Sequence, residues 1–335
     1  RLSKYTDNQT ATGGGGAPWD EQRLQDTAAT IAEMLPDRQA RLVDIGCANG
    51  GLLRALQTLG YTNLCGLDPS PACVANTTQL PGVQAMVGSL THIPPAAGPL
   101  DGVILSHVLE HVRDLQPALR TVAAAMRPQA WLYAETPDAT RYAEFVFAPF
   151  QDFNTEHINH FSVPSLENLL RHNGFQPARA DRKTILSAPN MPYPALYVCA
   201  RWTGAAGGWQ KDETLAPSLE AYINLSRQVL AEIEANLQRA LTQAPTVLVW
   251  GAGQLALKLL AETSLGQAHI TAFVDGNPAN QGRALQGIPI LAPEQVKPGA
   301  TPIIVASVLH HQEIAARIRQ LQLPNPIITL RNISA

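Results

Sequence analysis

At 335 residues the chain is long enough for two domains, and 45% hydrophobic residues supply a sizeable core. Its 24 basic and 27 acidic residues leave a net charge of −3 with no basic block, which argues against nucleic acid as a partner. No apolar run reaches the ~20 residues that span a bilayer, and Arg1-Leu2-Ser3-Lys4-Tyr5 lacks a signal-peptide core, so a cytoplasmic protein without membrane contact is expected.

The chain begins without Met, which suggests excision from something longer. Residues 1–20 are polar, contain Gly13 to Gly16, and read as a flexible arm. Asp20 to Leu35 reads as a helix. Arg41-Leu42-Val43 reads as the end of a buried strand, Asp44-Ile45-Gly46-Cys47-Ala48-Asn49-Gly50 as the turn after it, and Leu52 to Leu56 as a helix. Small residues at 46, 48 and 50 let backbone pass close to a ligand. The acid precedes the glycines, the reverse of a dinucleotide fingerprint. A second strand, Asn63 to Asp68, ends in an acid about 20 residues later, where a carboxylate meets a ribose diol. Val83 to Leu90 reads as a third strand, and five alternating strand and helix units run to about Pro137. Alternation of this kind predicts a parallel α/β sheet.

An insertion rich in aromatics, His and Asn runs from Asp138 to Val163, before a helix over Pro164–Arg171 capped by Ser165. Strands near Ala180–Leu186 and Ala195–Trp202 would close the sheet as an antiparallel pair. Gly204 to Gly208 marks a boundary, and a polar helix is expected over Ala216–Leu241. A second α/β unit opens at Thr246-Val247-Leu248-Val249-Trp250, with further strands at His269–Asp275, Ile288–Leu291, Pro302–Ala306 and Pro326–Leu330. The expected division is an arm at 1–20, a first domain at 21–203, a linker and helix at 204–245, and a smaller Rossmann-like domain at 246–335. The four cysteines form no Cys-x-x-Cys pair, so neither a metal site nor disulfides are expected. Asn332-Ile333-Ser334 matches a glycosylation sequon only formally.

Asp44-x-Gly46-x-Ala48-x-Gly50 resembles motif I of the class I S-adenosylmethionine (SAM) methyltransferases. Asp101 to His111 resembles that family's fourth-strand motif with the helix after it and Met126 to Pro137 its turn into the fifth strand, so the resemblance covers residues 25 to 202. The resemblance implies a Rossmann-like methyltransferase sheet with SAM as cofactor and S-adenosylhomocysteine as product. It implies that Asp44 faces the cationic amino-acid end, with Gly46, Cys47, Ala48 and Gly50 lining the loop. Asp68 and Pro69 would meet the ribose, Ser89 and Leu90 the adenine, and Ser106 and His107, at the end of the fourth strand, would also line the cofactor. Ser89 stands where the family often has Asp.

Asn154-Thr155-Glu156-His157-Ile158-Asn159-His160-Phe161-Ser162 resembles a segment of the sugar C-methyltransferases. There the His is the proposed base, and a carbon beside a ketone needs such a base to become nucleophilic. The resemblance implies that His157 takes the proton, that Glu156 or Glu110 orients or polarises it, and that His111 binds a keto oxygen or hydroxyl. Tyr5 is a further candidate. His157 and His160 could instead be a packing pair, and Glu110 and His111 could cap or solvate the turn after strand four. Cys47 reads as loop filler.

The second glycine loop, Gly251-x-Gly253-x-x-Ala256 with Asp275 beyond it, fits the NAD fingerprint better than the first loop does. It also resembles the carboxy-terminal Rossmann-like domain of the sugar C-methyltransferases. That family's amino-terminal zinc module has no counterpart here, its aromatic two residues before Glu-His is Asn154, and Ser187 to Pro192 replaces a Gly-rich turn. The expected function is C-methylation of a keto-sugar nucleotide by a monomer or homodimer. The alternatives are O- or N-methylation of a sugar or other small metabolite, and a SAM- or nucleotide-binding module of a larger assembly.

Overall fold

Strands β1 (Leu42–Ile45) and β2 (Leu64–Asp68) are buried at every position, as strands covered on both faces must be. The computed structural model describes residues 18–188 and 191–330. Tyr5, the glycine run, the Pro189-Asn190 turn and the Asn332 sequon lie outside those residues. Two units divide the described chain, residues 18–145 with 155–219, and residues 146–154 with 220–330.

The first unit holds β1, β2, β3 (Val83–Val87), β4 (Leu100–Ser106), β5 (Met126–Pro137), β6 (Phe175–Ala188) and β7 (Met191–Trp202) in the order β3-β2-β1-β4-β5-β7-β6. β1 to β5 are parallel, and β7 runs antiparallel to both β5 and β6. Side chains alternate across the sheet. Val43, Val103 and Leu105 pack with Leu119 and Val122 of one helix. Leu42 and Ile104 pack with Leu24, Ala28 and Ile31 of α1 (Pro18–Met34) on the other face. β1 and β4 are neighbours although β2 and β3 intervene in sequence, so strand order reverses beside β1. Open α/β sheets bind ligands outside the strand C-termini at such a reversal. Asp44, Asp68, His107 and Glu135 all stand at that end.

Two differences from the sequence reading have local causes. The helix Val163–His172 is capped by Ser162, not Ser165. Ser162 Oγ accepts from Ser165 N–H at 3.0 Å and Ser165 Oγ accepts from Ser162 N–H at 2.9 Å, a reciprocal box with Pro164 tolerated in the first turn. Residues 204–219 are not a free linker. Asn168 donates to Gln210 O at 2.7 Å and accepts from its N–H at 2.9 Å, while Ser162 Oγ donates to Asp212.

The second unit has a six-stranded sheet, β10-β11-β9-β8-β12-β13, parallel except for the β10–β11 pair. These strands span Thr246–Trp250 (β8), His269–Val274 (β9), Ala284–Leu285 (β10), Ile288–Leu291 (β11), Ile303–Val305 (β12) and Ile327–Thr329 (β13). The helix Leu215–Gln243 buries Tyr222, Val229, Ile233 and Leu237, one stripe at helical spacing. Residues 146–154 belong to this unit because Asp152 N–H donates to Tyr222 Oη at 2.9 Å and Phe153 packs edge-on against that ring.

Candidate active site

The loop after β1 turns through left-handed backbone at Gly46, Ala48 and Gly50, with φ of 82°, 47° and 76°. A Cβ on Gly46 would lie 3.0 Å from Val108 Cγ2, so glycine is required by conformation and by space. Gly46 N–H donates to Leu67 O at 2.7 Å, which ties the loop to β2. Asp68 Oδ2 accepts from Ala48 N–H at 2.9 Å and its Oδ1 from Ser70 N–H at 2.8 Å. A carboxylate has about four acceptor positions, so Asp68 keeps capacity for the two hydroxyls of a diol. Asp44 is buried. Its burial first, and then the charge of Asp68, push its carboxyl up to about 7 against a lesser pull from Arg23. Paired buried carboxylates of this kind fit a ligand that brings positive charge.

Other expected cofactor residues divide. Pro69 is half-buried between Asp68 and Ser70. Ser89 closes a tight turn with His92, N–H to O 2.9 Å, with its hydroxyl on Thr91. Leu90 is in the core. Cys47 is buried beneath Gly66, where a Cβ would meet its Sγ at 2.7 Å. Burial pushes that thiol up, so it stays protonated filler.

Ser106 pairs with Glu135 across β4 and β5, and its hydroxyl is buried without a hydrogen-bond partner among the described residues. His107 follows at φ 55°. Both its ring nitrogens are engaged, Nδ1 with Glu110 Oε1 at 3.2 Å and Nε2 with Glu135 Oε1 at 3.0 Å. Burial opposes its charge, but the bonds to Glu110 and Glu135 outweigh that and raise it to about 9. His107 is therefore a half-buried imidazolium held between two buried carboxylates. Glu135 also meets Lys183 Nζ at 2.5 Å and accepts from Tyr133 Oη. Burial works against its charge, yet His107 and Lys183 hold it well below the ordinary carboxylate range. Sequence reasoning missed Glu135, Tyr133 and Lys183, because only the strand pairing brings them together.

Leu109–His111 form one short turn after β4, and the 155–162 segment is clamped onto it. Ile158 and Asn159 N–H both donate to Glu110 O, at 2.9 and 3.1 Å. Asn159 Nδ2 donates to Leu109 O at 3.0 Å and Val112 O at 2.7 Å. The clamp brings His157 to Glu110 and His111, with donor atoms of all three within 4.8 Å of one another. The His111 and His157 rings meet edge-on at 4.9 Å. His111 Nδ1 lies 2.9 Å from Glu156 O, so Glu156 enters this arrangement through its backbone carbonyl. Burial first lowers His157 to about 4, against a partial lift from Glu110. Burial disfavours the charge of Glu110's carboxyl, but the bond to His107 outweighs it and holds the group below its ordinary value. His160 instead faces Tyr142 Oη at 3.2 Å.

Residues 19–179 match the model of a family described as a methyltransferase domain. They form a class I SAM-dependent methyltransferase domain. SAM is its cofactor, and a buried Asp44 beside an Asp68 with spare acceptor capacity is chemically compatible with a ligand that has a cationic end and a diol. A ubiquinone biosynthesis O-methyltransferase of Methylobacterium nodulans is 33% identical over 112 residues, 32% of this chain and 44% of that protein. A tRNA U34 carboxymethyltransferase of Syntrophotalea carbinolica is 27% identical over 191 residues, 53% of this chain and 59% of that one. The chain thus spans about half the length of the curated relatives it matches. Among solved structures, a methyltransferase in complex with the Haloferax volcanii Trm112 activator superposes with TM-score 0.45 at 18% identity, over 55% of this chain and 92% of that one. A SAM-dependent methyltransferase of Mesorhizobium loti gives 0.42 at 22%, over 53% and 99%.

The methyltransferase domain's relatives correct the partner expectation. A nucleotide-sugar acceptor and the exclusion of nucleic acid do not stand, since the relatives' names concern ubiquinone biosynthesis and tRNA. A net charge averaged over the whole chain does not exclude a local nucleic-acid surface. No described helix is long and apolar enough to cross a membrane.

In the second unit, Gly251 N–H donates to Val274 O at 2.7 Å, while Ala252 and Asn277 N–H donate to Asp275 at 3.0 and 2.8 Å. This repeats the methyltransferase loop. Asn280 Nδ2 adds a third donor to Asp275 at 3.0 Å and takes acceptor capacity the first loop leaves open.

Proposed function

We propose that this chain catalyses methyl transfer to an acceptor oxygen, with His157 accepting the acceptor's proton. The observation that carries this reading is the neutral, half-buried His157 held against Glu110 and His111 beyond the end of β4. When bound, SAM supplies an electrophilic methyl group on a positively charged sulfur. The chain's own residues do the rest. Asp44 and Asp68 anchor, the clamp on Glu110 O orients His157, and His111 Nε2 faces the acceptor while its Nδ1–H is spent on Glu156 O. Ionised Glu110 favours the imidazolium that forms as His157 takes the proton. The 33–34% identity to two ubiquinone biosynthesis O-methyltransferases supports oxygen as the acceptor atom.

A second reading is methylation of carbon beside a carbonyl, favoured by the Glu156-His157 segment. There His157 removes a carbon-bound proton, and His111 holds the enolate oxygen. Solvent deuterium entering the acceptor would mark this route, and its absence during turnover the oxygen route.

The test uses labelled SAM and a panel of phenols, hydroxyketones and total tRNA. Wild type transfers label to at least one class. His157→Ala loses about 10²- to 10⁴-fold in kcat and keeps S-adenosylhomocysteine affinity. Full turnover in that variant removes His157 from the mechanism. Tight S-adenosylhomocysteine binding with no transfer to any acceptor would favour a binding module instead.

A further inference from the structure

We propose that Glu110, His111 and His157 together bind one divalent ion of the zinc class. Two imidazoles and a carboxylate are a zinc donor set that leaves a coordination position open. Their donor atoms already lie within 4.8 Å of one another. Bonds of about 2.0–2.2 Å put tetrahedral donors about 3.4 Å apart, so chelation draws the three slightly inward.

The surrounding contacts are those that metal ligands keep. His111 Nδ1 is 2.9 Å from Glu156 O, which fixes the tautomer that presents Nε2 as a lone pair. Glu110 Oε1 is held by His107 Nδ1 at 3.2 Å. Glu110 is 1% exposed, and its Oε2 is buried with no hydrogen-bond partner among the described residues. A buried oxygen without a donor is costly, and an ion at the cluster would satisfy it. His157 is fixed in register by the Ile158 and Asn159 amides on Glu110 O. The cysteine spacing gave no hint of this site because it uses no sulfur.

The ion takes the His157 lone pair that proton transfer needs, so zinc and the acceptor's proton compete and the zinc-loaded protein is inhibited. Binding itself is independent of the proposed reaction. Chelator-treated full chain is titrated with zinc chloride by calorimetry. One saturable site is expected, weakened more than about tenfold in each of Glu110→Gln, His111→Asn and His157→Asn and unchanged in His160→Asn. S-adenosylhomocysteine affinity checks that each variant is folded. Cobalt(II) on the wild type needs no variant, and the ligand-field bands of a four- or five-coordinate ion are expected. No saturable zinc binding, equal loss in His160→Asn, or only the spectrum of hydrated cobalt would overturn the site. His157→Ala turnover in chelator-treated buffer reports on the base separately.

Discussion

Burial pushes both His157 and Glu135 toward the neutral form, and their neighbours decide whether it succeeds. His157 has one nearby carboxylate, and burial wins, so the imidazole is neutral down to about pH 4. A neutral imidazole is the form that accepts a proton, so activity through it is present above that value and lost below it. With SAM saturating, kcat/KM for the acceptor should be level between pH 6 and 8. A limb centred near pH 6.5 would show an unperturbed His instead. Glu135 lies between His107 and Lys183. Glu135→Gln removes a buried carboxylate from between two half-buried cations, of which His107 keeps Glu110, so it should cost about 1–3 kcal/mol in urea unfolding. A loss under about 1 kcal/mol would mean that the network is not closed in solution.

At the scale of elements, the 155–162 clamp decides whether there is a site. Asn159 bridges Leu109 O and Val112 O, and Asn159→Ala leaves both without that donor. About 1–3 kcal/mol of stability should be lost, and kcat should fall at least tenfold with S-adenosylhomocysteine affinity nearly kept. Equal falls in kcat and affinity would place Asn159 in general stability rather than in positioning. The strands themselves were legible in the sequence. β1, β2 and β4 are short apolar runs that end in an acid, Gly or Ser, and each was expected within a few residues of where it lies. The bracing of His107 was not legible, since it depends on Ser106 pairing with Glu135 and on β6 bringing Lys183 back. The helix cap was misassigned by three residues because Ser162 and Ser165 both fit the pattern. Only the backbone showed which serine precedes the first turn.

Over the whole molecule, the sequence order of motifs was enough for a parallel α/β sheet closed by an antiparallel pair, because strands and helices alternate along the chain. It was not enough for the units, since residues 146–154 join the later one through Tyr222. The acceptor was misjudged because net charge and a short shared segment say little about what meets His157. The cofactor end rests on more, a strained glycine loop and two buried carboxylates with Asp44 held up to about 7. A ligand with an α-ammonium group requires ionised Asp44, so binding below pH 7 must release a proton. Asp44's raised value also disfavours the charged form in the free protein, so Asp44→Asn should stabilise the unliganded protein above pH 7 while weakening the ligand. The most direct measurement is a calorimetric titration with S-adenosylhomocysteine from pH 5.5 to 8.5. Affinity should rise about tenfold per unit up to pH 7 and then level off, with that dependence gone in Asp44→Asn. No binding at any pH, or affinity in the wild type that ignores pH across that range, would contradict the site described.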